Sequence, residues 1–95
     1  ERGYRAVHVT LRDAAGAVFE VQVMTRRMLA WVTWNSKRVY KPRLDRDSPY
    51  FERLRDYDRA VIDWLNAADA GRAPGPRPVA TDLVPTDHFP AEQLR

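Results

Sequence analysis

Cysteine is absent from the 95-residue chain, which excludes disulfide scaffolds, thiolate zinc sites and a cysteine nucleophile. Histidine is nearly absent as well: His8 and His88 are the only imidazoles, too few for a histidine-built metal cage. Four glycines, at positions 3, 16, 71 and 75, leave no phosphate loop of the G-x-x-x-x-G-K-[ST] kind and no dinucleotide fingerprint, so any nucleotide must be held by side chains. The two serines, Ser36 and Ser48, lie outside any G-x-S-x-G elbow, which argues against serine hydrolase chemistry. No apolar run approaches the ~18 residues of a membrane span, and no charged-then-apolar leader opens the chain. The expectation is a cytoplasmic chain with no membrane partner. Glu1 rather than Met stands first, the start expected of an excerpt.

What is present is 44% hydrophobic and 31% charged, the balance of one small globular domain. A chain this short buries only ~60–65% of its unfolded surface, so three Trp, four Tyr and three Phe must carry much of the core. A formal charge of +3 and a pI near 9.7 suit a phosphate-bearing partner without naming one. Seven cations (Arg26, Arg27, Lys37, Arg38, Lys41, Arg43 and Arg46) and one acid, Asp45, lie between positions 26 and 46. That run reads either as a solvated helix face or as an edge facing a polyanion, and composition leaves both open.

Period-two alternation marks two strands. Over 4–11, Val7, Val9 and Leu11 point one way and Tyr4, Ala6, His8 and Thr10 the other; over 17–24, Phe19, Val21 and Val23 face away from Val18, Glu20, Gln22 and Met24. A three-residue loop ending at Gly16 pairs Asp13 with Ala17, hence Thr10 with Glu20 and His8 with Gln22. The aliphatic face is expected to pack under Trp64 and Leu54. Thr25 caps a helix carrying Met28, Trp31, Val32 and Val39 on one stripe, interrupted by Asn35 and stopped before Pro42. Ser48-Pro49 opens a second helix, with Tyr50, Leu54, Tyr57, Val61, Trp64, Leu65 and Ala68 at spacings of three and four and Gly71 at its end. Three prolines between 73 and 78 make an extended linker, and 79–95 reads as a peripheral tail.

The chemistry left to the chain sits on the polar face of the hairpin. Glu20 offers a hard oxygen for Mg²⁺ and a base for a hydroxyl proton, against the plainer reading of an exposed strand glutamate. His8 serves as a general acid or phosphate donor, or as a structural strand histidine. Tyr4 stacks on a base or caps the core, and Trp31, Trp34 and Trp64 at helical spacings read as core.

The order Gly3-Tyr4-Arg5-Ala6-Val7-His8, then Glu20-Val21-Gln22-Val23-Met24-Thr25, then Met28, Trp31 and Tyr40-Lys41 resembles the second half of the RelA/SpoT synthetase domain. Its hallmark segments are Gly-Tyr-x-Ser-Ile-His, Glu-Ile-Gln-Ile-Arg-Thr and His-x-x-x-Tyr-Lys, and the match covers roughly residues 1–65. The resemblance implies pyrophosphate transfer from an ATP donor to the 3′-hydroxyl of a GDP or GTP acceptor, giving (p)ppGpp, with Mg²⁺ as cofactor. It implies that Glu20 is the catalytic and metal-binding carboxylate, that Tyr4, His8 and Gln22 line the acceptor side, and that Lys41 sits near phosphates. Met24 replaces the usual arginine of Ile-Arg-Thr, and Asn35 and Ser36 replace Glu-His. The family's ATP-gripping basic segment, second metal carboxylate and guanine-stacking tyrosine loop belong upstream of the motif that opens this chain.

The resulting expectation is an α+β fold: an antiparallel hairpin from a larger mixed sheet, packed by two helices. Residues 1–71 form the synthetase-like portion and 72–95 a proline-rich linker and tail. Alternatives are a degenerate, non-catalytic nucleotide- or RNA-binding module of that ancestry, and a toxin-like relative acting on tRNA or adenosine nucleotides.

Overall fold

The computed structural model describes residues 3–40 and 47–90. The fold is α+β: an antiparallel hairpin of β1 (Val7–Arg12) and β2 (Val18–Val23), then helix α1 (Arg26–Asn35) and helix α2 (Pro49–Asp69). A π-helical segment, Ser36–Tyr40, prolongs α1, and a short 3₁₀ turn, Pro85–Asp87, follows α2. The positions around Lys41 and Pro42, where the first helix was expected to stop, lie outside the described residues.

The register is the one the turn chemistry requires. Asp13 N–H donates to Ala17 O at 3.0 Å, and the Asp13 carboxylate accepts from the N–H groups of Ala15 and Ala17, both at 2.9 Å. Gly16 takes the φ of +90° that closes the three-residue loop and that an L side chain rarely tolerates. The ladder then sets Thr10 opposite Glu20, His8 opposite Gln22, and Leu11 opposite Phe19.

Burial corrects one expectation. The aliphatic face of the hairpin is not covered by Trp64 and Leu54: Val7, Val9, Leu11, Phe19, Val21 and Val23 are 37–62% exposed. Phe19, at 48%, lies open to solvent although its strand alternates as the sequence predicts, so pairing register and burial are separate properties here. The physical reason lies in the helices. Leu54 is completely buried among Met28, Trp31, Val61, Ile62 and Leu65, while Trp64 is half-buried with its Nε1–H on Gly75 O at 3.0 Å. The two helical stripes cover each other, and only the hairpin base, through Tyr4 and Met24, reaches their core.

Two further details differ from the pattern reading. Asn35 does not interrupt the α1 stripe but belongs to it, buried, donating to Asp58 Oδ1 at 3.1 Å. Trp31 Nε1 donates to the same oxygen at 2.8 Å, so a buried carboxylate joins α1 to α2. Residues 79–90 are not peripheral either: Leu83 and Phe89 are buried, and Trp34 meets Tyr57 and Phe89 edge-on. The short segment carries too few apolar residues to show a period, and its hold is polar as well. Tyr50 donates to Asp87, the His88 ring bridges Ala80 O and Val84 O, and Tyr57 Oη accepts from Phe89 N–H.

Both helices start as read: Thr25 accepts from Met28 N–H and Ser48 from Phe51 N–H, each at 3.1 Å. Helix α2 ends in a Schellman motif, with Arg72 N–H on Ala67 O, Gly71 N–H on Ala68 O, and Gly71 at φ +75°.

Asp69, at the last turn of α2, ties the hairpin to the helices. Its carboxylate accepts from Arg5 at 2.9 Å, Arg27 at 3.0 Å and Thr25 Oγ1 at 2.6 Å, with only 3% of its side chain exposed. Burial pushes its pKa up, but the hydrogen bonds from Thr25, Arg27 and Arg5 outweigh it and hold the carboxyl below its ordinary value. A depressed folded-state pKa stabilises above the unfolded value, about 3.9, and that contribution is lost as pH falls through the folded value. Asp69→Asn is therefore expected to cost roughly 1.5–3 kcal/mol at neutral pH. The gap from wild type should close below about pH 4, read as melting temperature against pH for both proteins. A gap constant down to pH 2 would disprove the role given to its charge.

Candidate functional site

The polar face of the hairpin carries His8 and Thr10 from β1 and Glu20 and Gln22 from β2, with Tyr4 at its base. Cross-strand pairing places them together, because directly opposed residues share a face. His8 Nδ1 lies 3.1 Å from Glu20 Oε1, and Gln22 Nε2 reaches the same oxygen at 3.4 Å. Tyr4 Oη donates to Gln22 Oε1 at 3.0 Å, and its ring meets the His8 ring edge-on with centroids 6.5 Å apart. Four of the five residues implied by the resemblance thus form one connected chain of hydrogen bonds. Lys41 lies outside the described residues.

The donors fix the chemistry of this chain. A carboxylate only accepts, so the bond to Glu20 requires the proton on His8 Nδ1 and leaves Nε2 as the acceptor nitrogen of a neutral ring. Glu20 Oε1 is engaged, whereas Oε2 makes no hydrogen bond among the described residues. The side chains of His8 and Glu20 are 44% and 52% exposed, so the network is open to a ligand and is not a buried structural knot.

Tyr4 is held by the residue before it. Gly3 has φ +82°, a Cβ there would stand 2.7 Å from Ile62 Cγ1, and Gly3 O accepts from Asn66 Nδ2 at 3.0 Å. Glycine at this position allows the entry to β1 to lie flat on α2. Thr25 acts twice, as cap of α1 and as donor to Asp69, so the exit from β2 is fixed to the same helix end as Arg5. Sequence reasoning missed this Asp69 clamp, since Asp69 is one acid among several in a balanced helix and its partners are 42 to 64 residues away.

Three positions depart from the resembling pattern, and the structure gives two of them another use. Met24 packs its thioether side chain against the core at the hairpin base, where a guanidinium would have to be desolvated. Asn35 turns inward to Asp58. Ser36 is half-buried at the start of the π-helical segment. None of Arg26, Lys37 and Arg38 is a hydrogen-bond or ion-pair partner of Glu20.

As a ligand for Mg²⁺, Glu20 provides one hard oxygen, and no group of three or more His, Asp or Glu side chains gathers among the described residues. One carboxylate is compatible with Mg²⁺, which takes one or two carboxylates and completes its shell with substrate phosphates and water. No helix among the described residues is long and apolar enough to cross a membrane. Comparison with protein-family models, curated proteins and solved structures finds no match for this chain.

Proposed function

We propose that the polar hairpin face is the acceptor side of a nucleotide pyrophosphokinase of RelA/SpoT type. The observation that carries this reading is the hydrogen-bonded set Tyr4, Gln22, Glu20 and His8 on one solvent-open face, with Glu20 Oε2 uncommitted. In this reading the 3′-oxygen of GDP or GTP bonds to the β-phosphorus of ATP. The bond from that phosphorus to the oxygen bridging it to the α-phosphorus breaks, AMP leaves, and the hydroxyl proton passes to Glu20. Mg²⁺ supplies charge neutralisation on the phosphates, with Glu20 as its ligand from this chain. His8, fixed with Nδ1–H on Glu20, orients the carboxylate, and its Nε2 faces the ligand. Tyr4 and Gln22 hold the far end of the face, and Lys41 contacts phosphate.

A second reading, a non-catalytic nucleotide-binding module of the same ancestry, is favoured by one observation: Asn35 and Met24 are absorbed into packing where the pattern has charged side chains. Calorimetric titration separates binding from its absence. With Mg²⁺ and low salt, GDP or GTP is expected to bind, to weaken as salt rises, and to weaken further in Lys41→Ala. No heat with either nucleotide from a folded protein would refute the pyrophosphokinase reading and leave the binding module with a ligand other than a guanine nucleotide.

A further inference from the structure

The cation run of the sequence divides in the structure. Arg27 is committed to Asp69, while Arg26, Lys37 and Arg38 make no ion pair among the described residues. These three line a groove of about 640 Å³ between the outer side of α1 and the 84–90 segment. Its apolar lining is Leu29, 55% exposed, with Ala30 and Pro90, and no acidic residue lines it among the described residues.

Position along the helix gives the groove a length. Arg26, Ala30, Thr33 and Lys37 recur at helical spacing, and the eleven residue steps from Arg26 to Lys37 span roughly 17 Å, about three turns. A single phosphate cannot reach both charged ends. Single-stranded nucleic acid would need exposed aromatic platforms, and the groove's one indole, Trp34, is 6% exposed with its Nε1–H on Asp87 O. An apolar centre between cationic ends complements a helix with an apolar stripe between acids.

We infer that this groove docks an acidic amphipathic helix of about three turns from a partner protein. Apolar side chains of the partner cover Leu29, Ala30 and Pro90, and its terminal acids meet Arg26 at one end and Lys37 and Arg38 at the other. The surface is separate from the hairpin face, since none of Tyr4, His8, Glu20 and Gln22 lines it.

The probe is a capped helical peptide of about three turns, with glutamates at both ends and leucines between them on the same face. Titrated into the whole chain at low salt, it should bind saturably. Affinity should fall at least about tenfold in Arg26→Glu/Arg38→Glu and severalfold in Leu29→Ala, with circular dichroism unchanged. Glu20→Gln should leave peptide binding unaltered, which separates this surface from the proposed nucleotide site. Absence of saturable binding, equal binding of a peptide with lysines at its ends, or indifference to the double charge reversal would overturn the inference. Tighter binding of a single-stranded oligonucleotide would overturn it in favour of a nucleic acid.

Discussion

Trp31→Ala should unfold this protein at temperatures the wild type survives, lowering the melting temperature by well over about 10 °C. Trp31 is 2% exposed at the contact of α1 with α2, and truncating a buried indole costs roughly 3–5 kcal/mol in lost transfer energy and cavity. The same change removes the Nε1 donor from Asp58, a buried carboxylate, adding a desolvation cost of about 1–3 kcal/mol that is not fully additive. Against a domain stability of about 5–15 kcal/mol, that is a large share. Trp31→Phe keeps most of the ring and loses only the donor, so it should fall between the two. Denaturant and thermal unfolding followed by circular dichroism measure the series. A loss below about 1 kcal/mol in Trp31→Ala would show that the helical core does not rest on this residue.

The reason the effect should be so large is where the core lies. The hairpin contributes little apolar burial, so stability rests on α1, α2 and the Leu83 and Phe89 contacts. A two-stranded ribbon is marginal by itself, and here its base is anchored by Tyr4, Met24 and the Asp69 clamp.

Local signals were legible because local chemistry decides them. The Asp13–Gly16 turn fixes the register, and Thr25 and Ser48 fix the helix starts, each through partners within four residues. From that register the grouping of His8, Glu20 and Gln22 follows by parity alone. Burial was less legible, since alternation says which residues share a face but not what covers it. Asn35 looked like a break in an apolar stripe because its partner, Asp58, is 23 residues away, and the anchoring of 79–90 depends on Tyr50 and Tyr57 in another element. The Asp69 clamp was hidden for the same reason: ion pairs across 42 or 64 residues leave no periodic trace.

The central claim is that Glu20 is the working carboxylate of an acceptor-nucleotide face. Glu20→Gln keeps the size of the side chain, and at 52% exposure its replacement should not change the melting temperature measurably. On the proposed reading it removes the anionic oxygen that would ligate Mg²⁺ and accept the hydroxyl proton, functions of the kind that contribute about 10²–10⁴-fold to rate. The amide also keeps one acceptor oxygen and replaces the other by an N–H₂ donor, which cannot accept from His8 Nδ1–H where it is turned toward the imidazole. The direct measurement is pyrophosphate transfer from ATP to GDP or GTP with Mg²⁺ by the full-length protein, comparing wild type with Glu20→Gln. The account predicts transfer in the wild type and a loss of at least about a hundredfold in a variant that melts at the same temperature. Equal rates in wild type and a folded Glu20→Gln protein, or no transfer by the wild type, would contradict it.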